Sequence, residues 1–417
     1  MSATKPSLSS EETRIIDREK QCLVQNYGRY PLVIDHGKGC QVCDLNNRSY
    51  VDFVTGLGVN ALGHAHPRIL KVMHEQMEKL IHCSNLYYHG YQGPLAERLV
   101  EISGLQRAFL ANTGTEAVEG ALKIAKGYGR KRSPQKYGIV ALNGSFSGRT
   151  LGSIAVTGQA KYREPFEPLI PGVTFVDVND LYGLEAAVDE NTAAILFEPI
   201  LGEGGLVEVS RRFAERAAEL ARQNDALLIF DEIQCGLGRT GKYFAYQWWD
   251  ETADGSAKPI LPDIALVAKP LAAGLPLGAI LVNEKAAEIL SPGMHGTTFG
   301  GGALACRVAL EFLDVLDELL PHIRETGDYF RGRLGELVEK FDFIKEIRGK
   351  GLMLGLNLTV PGKTVVPQAQ EAGLLINCTA DTVLRFLPPY IIEKQHIDEL
   401  IAGLDKIFEQ GPPQQDH

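Results

Sequence analysis

Asp231, Lys269 and the run NTGTE at residues 112–116 have the types and spacing to do chemistry. Asp231 follows the apolar run ALLIF and opens DEIQCGLGRTG, which puts a carboxylate where a buried strand would end. Lys269 directly follows IALVA and precedes PLAAG. A lysine stem packed at the edge of a core loses hydration, which lowers the amine's pKa and frees its neutral form to make a Schiff base with an aldehyde. NTGTE follows RAFLA where a helix should begin, and the unpaired N–H groups of a helix start suit a phosphate. Plainer readings stand beside these. Thr113 or Thr115 could simply cap the helix, with Glu116 in its acidic first turn. The Lys269 stem could snorkel and pair its ammonium with Asp231.

The elements that must position these residues are short apolar runs alternating with stretches of helical period. RAFLA (107–111), YGIVAL (137–142), AAILFE (193–198), ALLIF (226–230) and IALVA (264–268) read as strands buried on both faces. The segments from Thr115 and from Arg211 place Ala and Leu at helical spacing between them. That order predicts an α/β domain with a mostly parallel sheet, whose ligands collect beyond the carboxyl ends of its strands. After the long apolar helix predicted over 302–320 the texture changes. An amphipathic helix near YFRGRLGELVEKF, strand-like GLMLGLNL and GLLIN, the segment VLRFLPP and a last helix from about His396 predict a smaller α+β domain. The hairpin suggested by CQVCDLNNRSYVDFV would pack against it, so the small domain is expected from both chain ends: 1–60 and 311–417, around a large domain at 61–310. No internal repeat is present, and the only low-complexity piece is the tail QGPPQQDH.

Composition excludes several classes. At 417 residues and 45% hydrophobic the chain can bury a large core, and a formal charge of -10 argues against nucleic acid as the main partner. MSATKPSLSS lacks a signal peptide's apolar core, and no uninterrupted run of about 18 apolar residues predicts a membrane span. The seven cysteines read as reduced thiols of a cytoplasmic protein. Cys40 and Cys43 form a lone CxxC without the second pair that a structural zinc site needs, so no metal is expected. His64 and His66 in GHAHP read as a hydrogen-bonded loop before Pro67, and no GxSxG elbow supports a serine hydrolase.

A lysine, an anion cradle and a carboxylate converging over one sheet edge meet the needs of pyridoxal 5'-phosphate: an amine for its aldehyde, donors for its phosphate, and an acid to keep its ring nitrogen protonated. Gln234 could turn back toward the ring hydroxyl. The order of NTGTEAVEGALKIAK, FDEIQCGLGRTG, KPLAAGLPLGAILVN and HGTTFGGGALAC resembles the class III, or ornithine-type, pyridoxal-phosphate aminotransferases of fold type I, from about Tyr30 to Ile407. Within the family, DFVTGLGVNALGHAHP is most similar to the acetylornithine aminotransferases.

The resemblance implies roles residue by residue. Lys269 matches the Schiff-base lysine, which would be anchor, base and acid in turn; Asp231 matches the ring-nitrogen partner, and Gln234 the residue near the ring hydroxyl. Gly114 and Thr115 match the phosphate cradle, and Phe146 the aromatic stacked on the ring. Thr298 matches a threonine that reaches the phosphate from a second subunit, which implies a homodimer with shared sites. Arg149 matches the arginine for the α-carboxylate of an ornithine-like donor. Arg385 matches the one for glutamate or 2-oxoglutarate, and Glu203 the acid that pairs with Arg385 when a distal amine reacts. An isolated arginine of either kind would ordinarily be a surface ion pair.

The implied reaction moves the distal amine of N-acetylornithine to 2-oxoglutarate. Ornithine, succinylornithine, 4-aminobutyrate or lysine-type ω-aminotransferases would keep most of these residues, and a noncatalytic dimer could keep the fold. The chain departs from the family pattern at Ser147, where histidine is common, at Pro270, and at Gly302 and Ala303, where Asn and Pro are common. Pro270 is expected to hold Lys269 in extended backbone.

Overall fold

The computed structural model describes residues 8–251 and 258–413; the first seven residues of the polar N-terminus and the last four of the C-terminal tail lie outside it. A helix at Ser10–Cys22, not anticipated from the sequence, is started by a capping box between Ser9 and Glu12. The expected hairpin follows as β1 (Ile34–Lys38), β2 (Gln41–Asp44) and β3 (Ser49–Asp52), antiparallel in turn.

The central strands are β4 (Arg107–Ala111), β5 (Gly138–Leu142), β6 (Val173–Val176) and β7 (Thr192–Phe197), then, after a short pair β8 (Ile200–Leu201) and β9 (Val207–Glu208), β10 (Leu227–Asp231), β11 (Ile264–Val267) and β12 (Gly278–Val282). Seven of them form one sheet in the order β4-β12-β11-β10-β7-β5-β6. β12 runs antiparallel to both neighbours, and every other adjacent pair is parallel. The sheet is thus mostly parallel, as its apolar runs predict, with all five expected strands present. β6 and β12 escaped the sequence pattern for different reasons. β6 is a four-residue edge strand with half-exposed positions, and the fully buried GAILV of β12 comes straight after a stretch whose glycine and prolines read as loop.

The helices Gly114–Arg130 and Arg211–Gln223 pack on this sheet near their predicted positions. The last part of the chain differs from expectation. In place of two helices, one 38-residue helix spans Ala303–Lys340, running through Pro321. An interior proline costs about 3 kcal/mol. Leu316, Leu320 and Ile323 before and after it, and Phe330, Leu334 and Leu337 beyond, are all buried. Each such side chain contributes about 1.5–3 kcal/mol when removed from water, so the continuous apolar stripe outweighs the break.

Beyond that helix lie β13 (Ile344–Lys350), β14 (Met353–Leu358), β15 (Leu374–Leu375), β16 (Asn377–Thr379) and β17 (Val383–Phe386), and a final helix at Lys394–Phe408. β13-β14-β17-β16 form an antiparallel sheet, while β15 pairs parallel with β3 through Val51 and Leu374. The smaller domain therefore joins strands from both chain ends. No helix among the described residues is long and apolar enough to cross a membrane.

Candidate active site

Because β4, β5, β7, β10 and β11 share one direction, the residues that follow them emerge along one edge of the sheet. A cavity of about 450 Å³ lies there, lined by Gly114, Thr115, Phe146, Arg149, Glu203, Asp231, Gln234 and Lys269 among others. Eight of the ten residues singled out from the sequence thus meet in one place. Arg385 stands directly behind the wall, bonded to two lining residues, and Thr298 lies on an exposed loop outside its own chain's cavity.

Asp231 is the last residue of β10 and is buried. Its Oδ1 accepts from the Ile233 N–H at 3.1 Å, whereas its buried Oδ2 has no partner among the described residues. Burial raises its pKa, and the Ile233 amide and the Lys269 charge act against that. A buried carboxylate oxygen without a donor is costly, so this position calls for a ligand N–H. The Asp231–Lys269 pair that would have been the plain reading of the lysine does not form, since Oδ2 is left free.

Lys269 departs from one expectation. It opens a 3-10 turn over Lys269–Ala272, closed by the Leu271 N–H on the Ala268 carbonyl at 2.7 Å, in place of continuing as extended chain. Ala268 takes the break, with φ -158 and ψ -101. Pro270 is accommodated because the first residues of a turn need no N–H acceptor. Burial lowers the Lys269 pKa, followed by the nearby Arg385 cation, while Glu203, Glu198 and Asp231 oppose them.

At the NTGTE turn, capping and ligand binding prove compatible. Thr113 is the N-cap, its side chain accepting from the Glu116 N–H at 3.2 Å. Gly114 and Thr115 then occupy the first turn, where amides have no acceptor within the helix. The Thr115 hydroxyl bonds Ser153 at 2.7 Å and Thr150 at 3.0 Å. Gly148, at φ +131, passes so close that a Cβ there would lie 2.4 Å from Thr115 Oγ1, so only glycine fits.

The loop after β5 carries the aromatic and cationic groups. Phe146 is half-buried against the cavity, with Tyr162 edge-on at 6.4 Å between centroids. The exposed Arg149 guanidinium lies 3.8 Å from the centre of the Tyr162 ring and 5.4 Å from that of Phe146. Stacking leaves the edge of a guanidinium available to a carboxylate at the mouth. Ser147 is buried at the position where a histidine is common, which keeps a titrating imidazole out of this wall.

Arg385 projects from β17 and is 1% exposed. Its Nη1 donates to Glu203 Oε1 at 2.6 Å, Gln234 Oε1 at 3.1 Å and the Gly202 carbonyl at 3.1 Å. Its Nε donates to Asn377 Oδ1 at 3.2 Å, from the residue opposite on β16. Burial pushes the Glu203 carboxyl up, but the adjoining guanidinium outweighs it and holds the pKa below the usual range. Gln234 is therefore engaged by Arg385 through its oxygen.

Three participants were not singled out from sequence: Asn377, Tyr162 and Glu198. Glu198 was in view as the last letter of AAILFE, at a strand end like Asp231. Of the remaining motifs, His64 Nε2 is 2.9 Å from Asp52 Oδ2 in an ordinary hydrogen bond, and Cys40 and Cys43 are free thiols.

These residues fit pyridoxal phosphate. The orphaned Asp231 oxygen suits a protonated ring nitrogen, the first turn at Gly114 and Thr115 suits the phosphate, and a desolvated amine stands at Lys269. Comparison with known proteins agrees. The family described as aminotransferase class-III matches residues 23–408, and the chain belongs to that family of pyridoxal-phosphate-dependent transaminases, with its fold type I architecture of a large α/β and a smaller domain. Within it, the chain is closely related to acetylornithine aminotransferases: it is 46% identical over 396 residues to that of Methanocaldococcus jannaschii, covering 94% of this chain and 97% of the relative. The solved ornithine aminotransferase of Toxoplasma gondii matches with a TM-score of 0.88 at 35% identity, covering 97% and 96% of the two chains. The acetylornithine aminotransferase structure from Elizabethkingia anophelis matches with a TM-score of 0.82 at 29% identity, covering 96% and 99%.

Proposed function

We propose that this aminotransferase moves the distal amino group of N-acetylornithine to 2-oxoglutarate, giving N-acetylglutamate 5-semialdehyde and glutamate. The observation that carries the reading is the Glu203–Arg385 pair, 2.6 Å long at the cavity wall, with a second guanidinium at Arg149 near the mouth that has no acidic partner among the described residues. Two cationic sites at different depths let one cavity take carboxylates from differently placed amines. With Glu203 closed on Arg385, the inner site is neutralised and the donor is held by its α-carboxylate at Arg149, leaving the distal amine to react. With Glu203 displaced, Arg385 takes the α-carboxylate of glutamate or 2-oxoglutarate bidentately. The names of the related acetylornithine aminotransferases support the choice of donor.

Bound pyridoxal phosphate supplies the electron-accepting ring and carries the amino group between substrates. Lys269 anchors it, and its Nζ, whose pKa burial lowers, takes the proton from the amine-bearing carbon once freed. Asp231 holds the proton on the ring nitrogen, Gly114 and Thr115 bind the phosphate, Phe146 covers the ring, and Gln234 offers its amide to the ring hydroxyl.

The functional unit is a homodimer whose partner chain adds Thr298 to the phosphate site. Asn85 Nδ2 bonds the carbonyls of Thr297 and Gly300 at 3.2 and 3.0 Å, joining two loops that leave Leu86, Tyr87, Tyr88 and Phe299 exposed. Such a cluster of large apolar groups beside a site residue is what a second copy would cover.

The test is the absorbance of the cofactor-loaded protein mixed in turn with N-acetylornithine, ornithine, succinylornithine and 4-aminobutyrate, without 2-oxoglutarate. Fastest conversion to the pyridoxamine form by N-acetylornithine is the expected result. Conversion by another amine with none by N-acetylornithine refutes the donor while leaving the class intact.

A further inference from the structure

Glu198 follows β7, and because Phe197 pairs with Phe230 in the parallel ladder, Glu198 and Asp231 leave adjacent strands at the same level. Glu198 is 5% exposed, and its bonds are made to backbone amides of two different loops. Its Oε1 accepts from the Phe146 N–H and its Oε2 from the Gly202 N–H, each at 3.0 Å. The first amide belongs to the ring-covering aromatic; the second precedes Glu203. Gly202 also gives its carbonyl to Arg385 at 3.1 Å, and a Cβ at that position would lie 2.1 Å from Gln234 Oε1. The backbone at 202 is thus in direct contact with the switch.

We propose that Glu198 is a positioning residue, whose two oxygens tie the Phe146 wall and the Glu203–Arg385 switch into one fixed register. This rests on the site reading given above for Phe146 and Glu203. A carboxyl group suits the task because each of its two oxygens can accept one N–H, one from each loop. A glutamine in its place offers one acceptor and one NH2, so it holds one loop and opposes the amide of the other. An aspartate keeps both oxygens but is a methylene short of spanning the two loops. Burial, and then the neighbouring Asp231 charge, raise the Glu198 pKa to about 8, against the opposing pull of the two amides and of Lys269.

Glu232 is the internal control. It is also buried, and its two oxygens accept from the Ala245 and Tyr246 amides at 2.9 Å each, but those bonds close a loop outside the cavity lining. A general loss from removing a buried acid would therefore be shared by both residues, and a loss of register would not.

The experiment is hydrogen–deuterium exchange on the pyridoxal-phosphate-loaded protein without substrate, for wild type, Glu198→Gln, Glu198→Asp and Glu232→Gln, followed by KM for amine donor and 2-oxoglutarate. In Glu198→Gln, the amides of residues 143–150 and 200–206 exchange at least tenfold faster and both KM values rise, while Glu232→Gln leaves those two segments as in wild type. Glu198→Asp restores one segment and not the other. Unchanged exchange in Glu198→Gln, the same acceleration in Glu232→Gln, or faster exchange with both KM values unmoved overturns the proposal. Should Glu198→Gln fail to fold, wild type decides: Phe146 and Gly202 amides as slow as those of β7 support the tie, and amides as fast as the exposed loop at 291–296 overturn it. Exchange is read with no substrate present, so an error in the amine donor leaves this result unaffected and is detected separately by the donor screen.

Discussion

Replacing Glu203 by Gln separates the two half-reactions, and its size can be worked from the contacts around Arg385. That guanidinium is 1% exposed and bonds Glu203 at 2.6 Å, but it also holds Gly202, Gln234 and Asn377 oxygens at 3.1–3.2 Å. With three acceptors remaining, the cation stays solvated by protein and the fold persists. What changes is the competition an incoming carboxylate must win. A hydrogen bond to a charged group is worth about 1.5–3 kcal/mol, and tenfold in an equilibrium is about 1.4 kcal/mol. Removing the Glu203 charge therefore lowers KM for 2-oxoglutarate by about tenfold to a hundredfold. The amine half-reaction moves the other way. An Arg385 that is no longer neutralised draws the donor's carboxylate inward, so conversion by the distal amine slows and conversion by glutamate gains relative to it. Single-turnover absorbance of the cofactor measures each half-reaction alone. If KM for 2-oxoglutarate is unchanged or higher in a folded Glu203→Gln protein, Glu203 does not gate Arg385 and the reasoning is wrong.

Asp231→Asn removes the charge opposite the cofactor ring nitrogen; single-turnover rates with any amine fall by about a hundredfold to a thousandfold, the scale of losing a preorganised electrostatic group, while the protein still takes up pyridoxal phosphate by absorbance. Arg149→Ala raises KM for donors bearing an α-carboxylate by about tenfold to a hundredfold and leaves KM for 2-oxoglutarate near wild type in steady-state assays. The pH dependence of stability tests Glu232, whose carboxyl is pushed up to about 7 by burial. Since the unfolded chain ionises near 4.5 and the folded chain near 7, the folded state holds an extra proton between those values, and stability from this group is full below the window and falls as pH rises through it. Thermal or urea unfolding from pH 5 to 7 should show that downward slope shallower by about one proton in Glu232→Gln, and an identical slope would refute the assignment.

The residues legible in the sequence were those whose neighbours along the chain already state their surroundings. ALLIF before Asp231 and IALVA before Lys269 declare buried strands, so a polar residue at the end of each must face a ligand or a partner. Glu198 has the same signature, yet its meaning depends on β7 lying beside β10, a pairing between segments about thirty residues apart that local pattern does not encode. Asn377 and Arg385 meet for the same reason, through cross-strand register in the small domain. The helix predicted over 302–320 ends just before Pro321, a residue that breaks helices locally, whereas the helix of the structure runs on to Lys340. The burial that overrides the proline is tertiary.

The charges brought to the cavity also constrain what enters it. Lys269 and Arg385 contribute two basic groups, and Asp231, Glu198 and Glu203 three acidic ones, all near the centre of the sheet's carboxyl edge. The helix-start amides at Gly114 and Thr115 lie in the same cavity and have no carboxylate partner among the described residues. A ligand carrying a protonated nitrogen at one end and a phosphate at the other satisfies both regions at once, and one carrying only a phosphate leaves the Asp231 oxygen unpartnered. That polarity divides the consequences of substitution. Changes at the Asp231 end alter how the bound ring holds electrons, while changes at the helix start alter how tightly it is kept. On the function proposed above, the Glu203–Arg385 pair at the cavity wall sets which carboxylate is admitted.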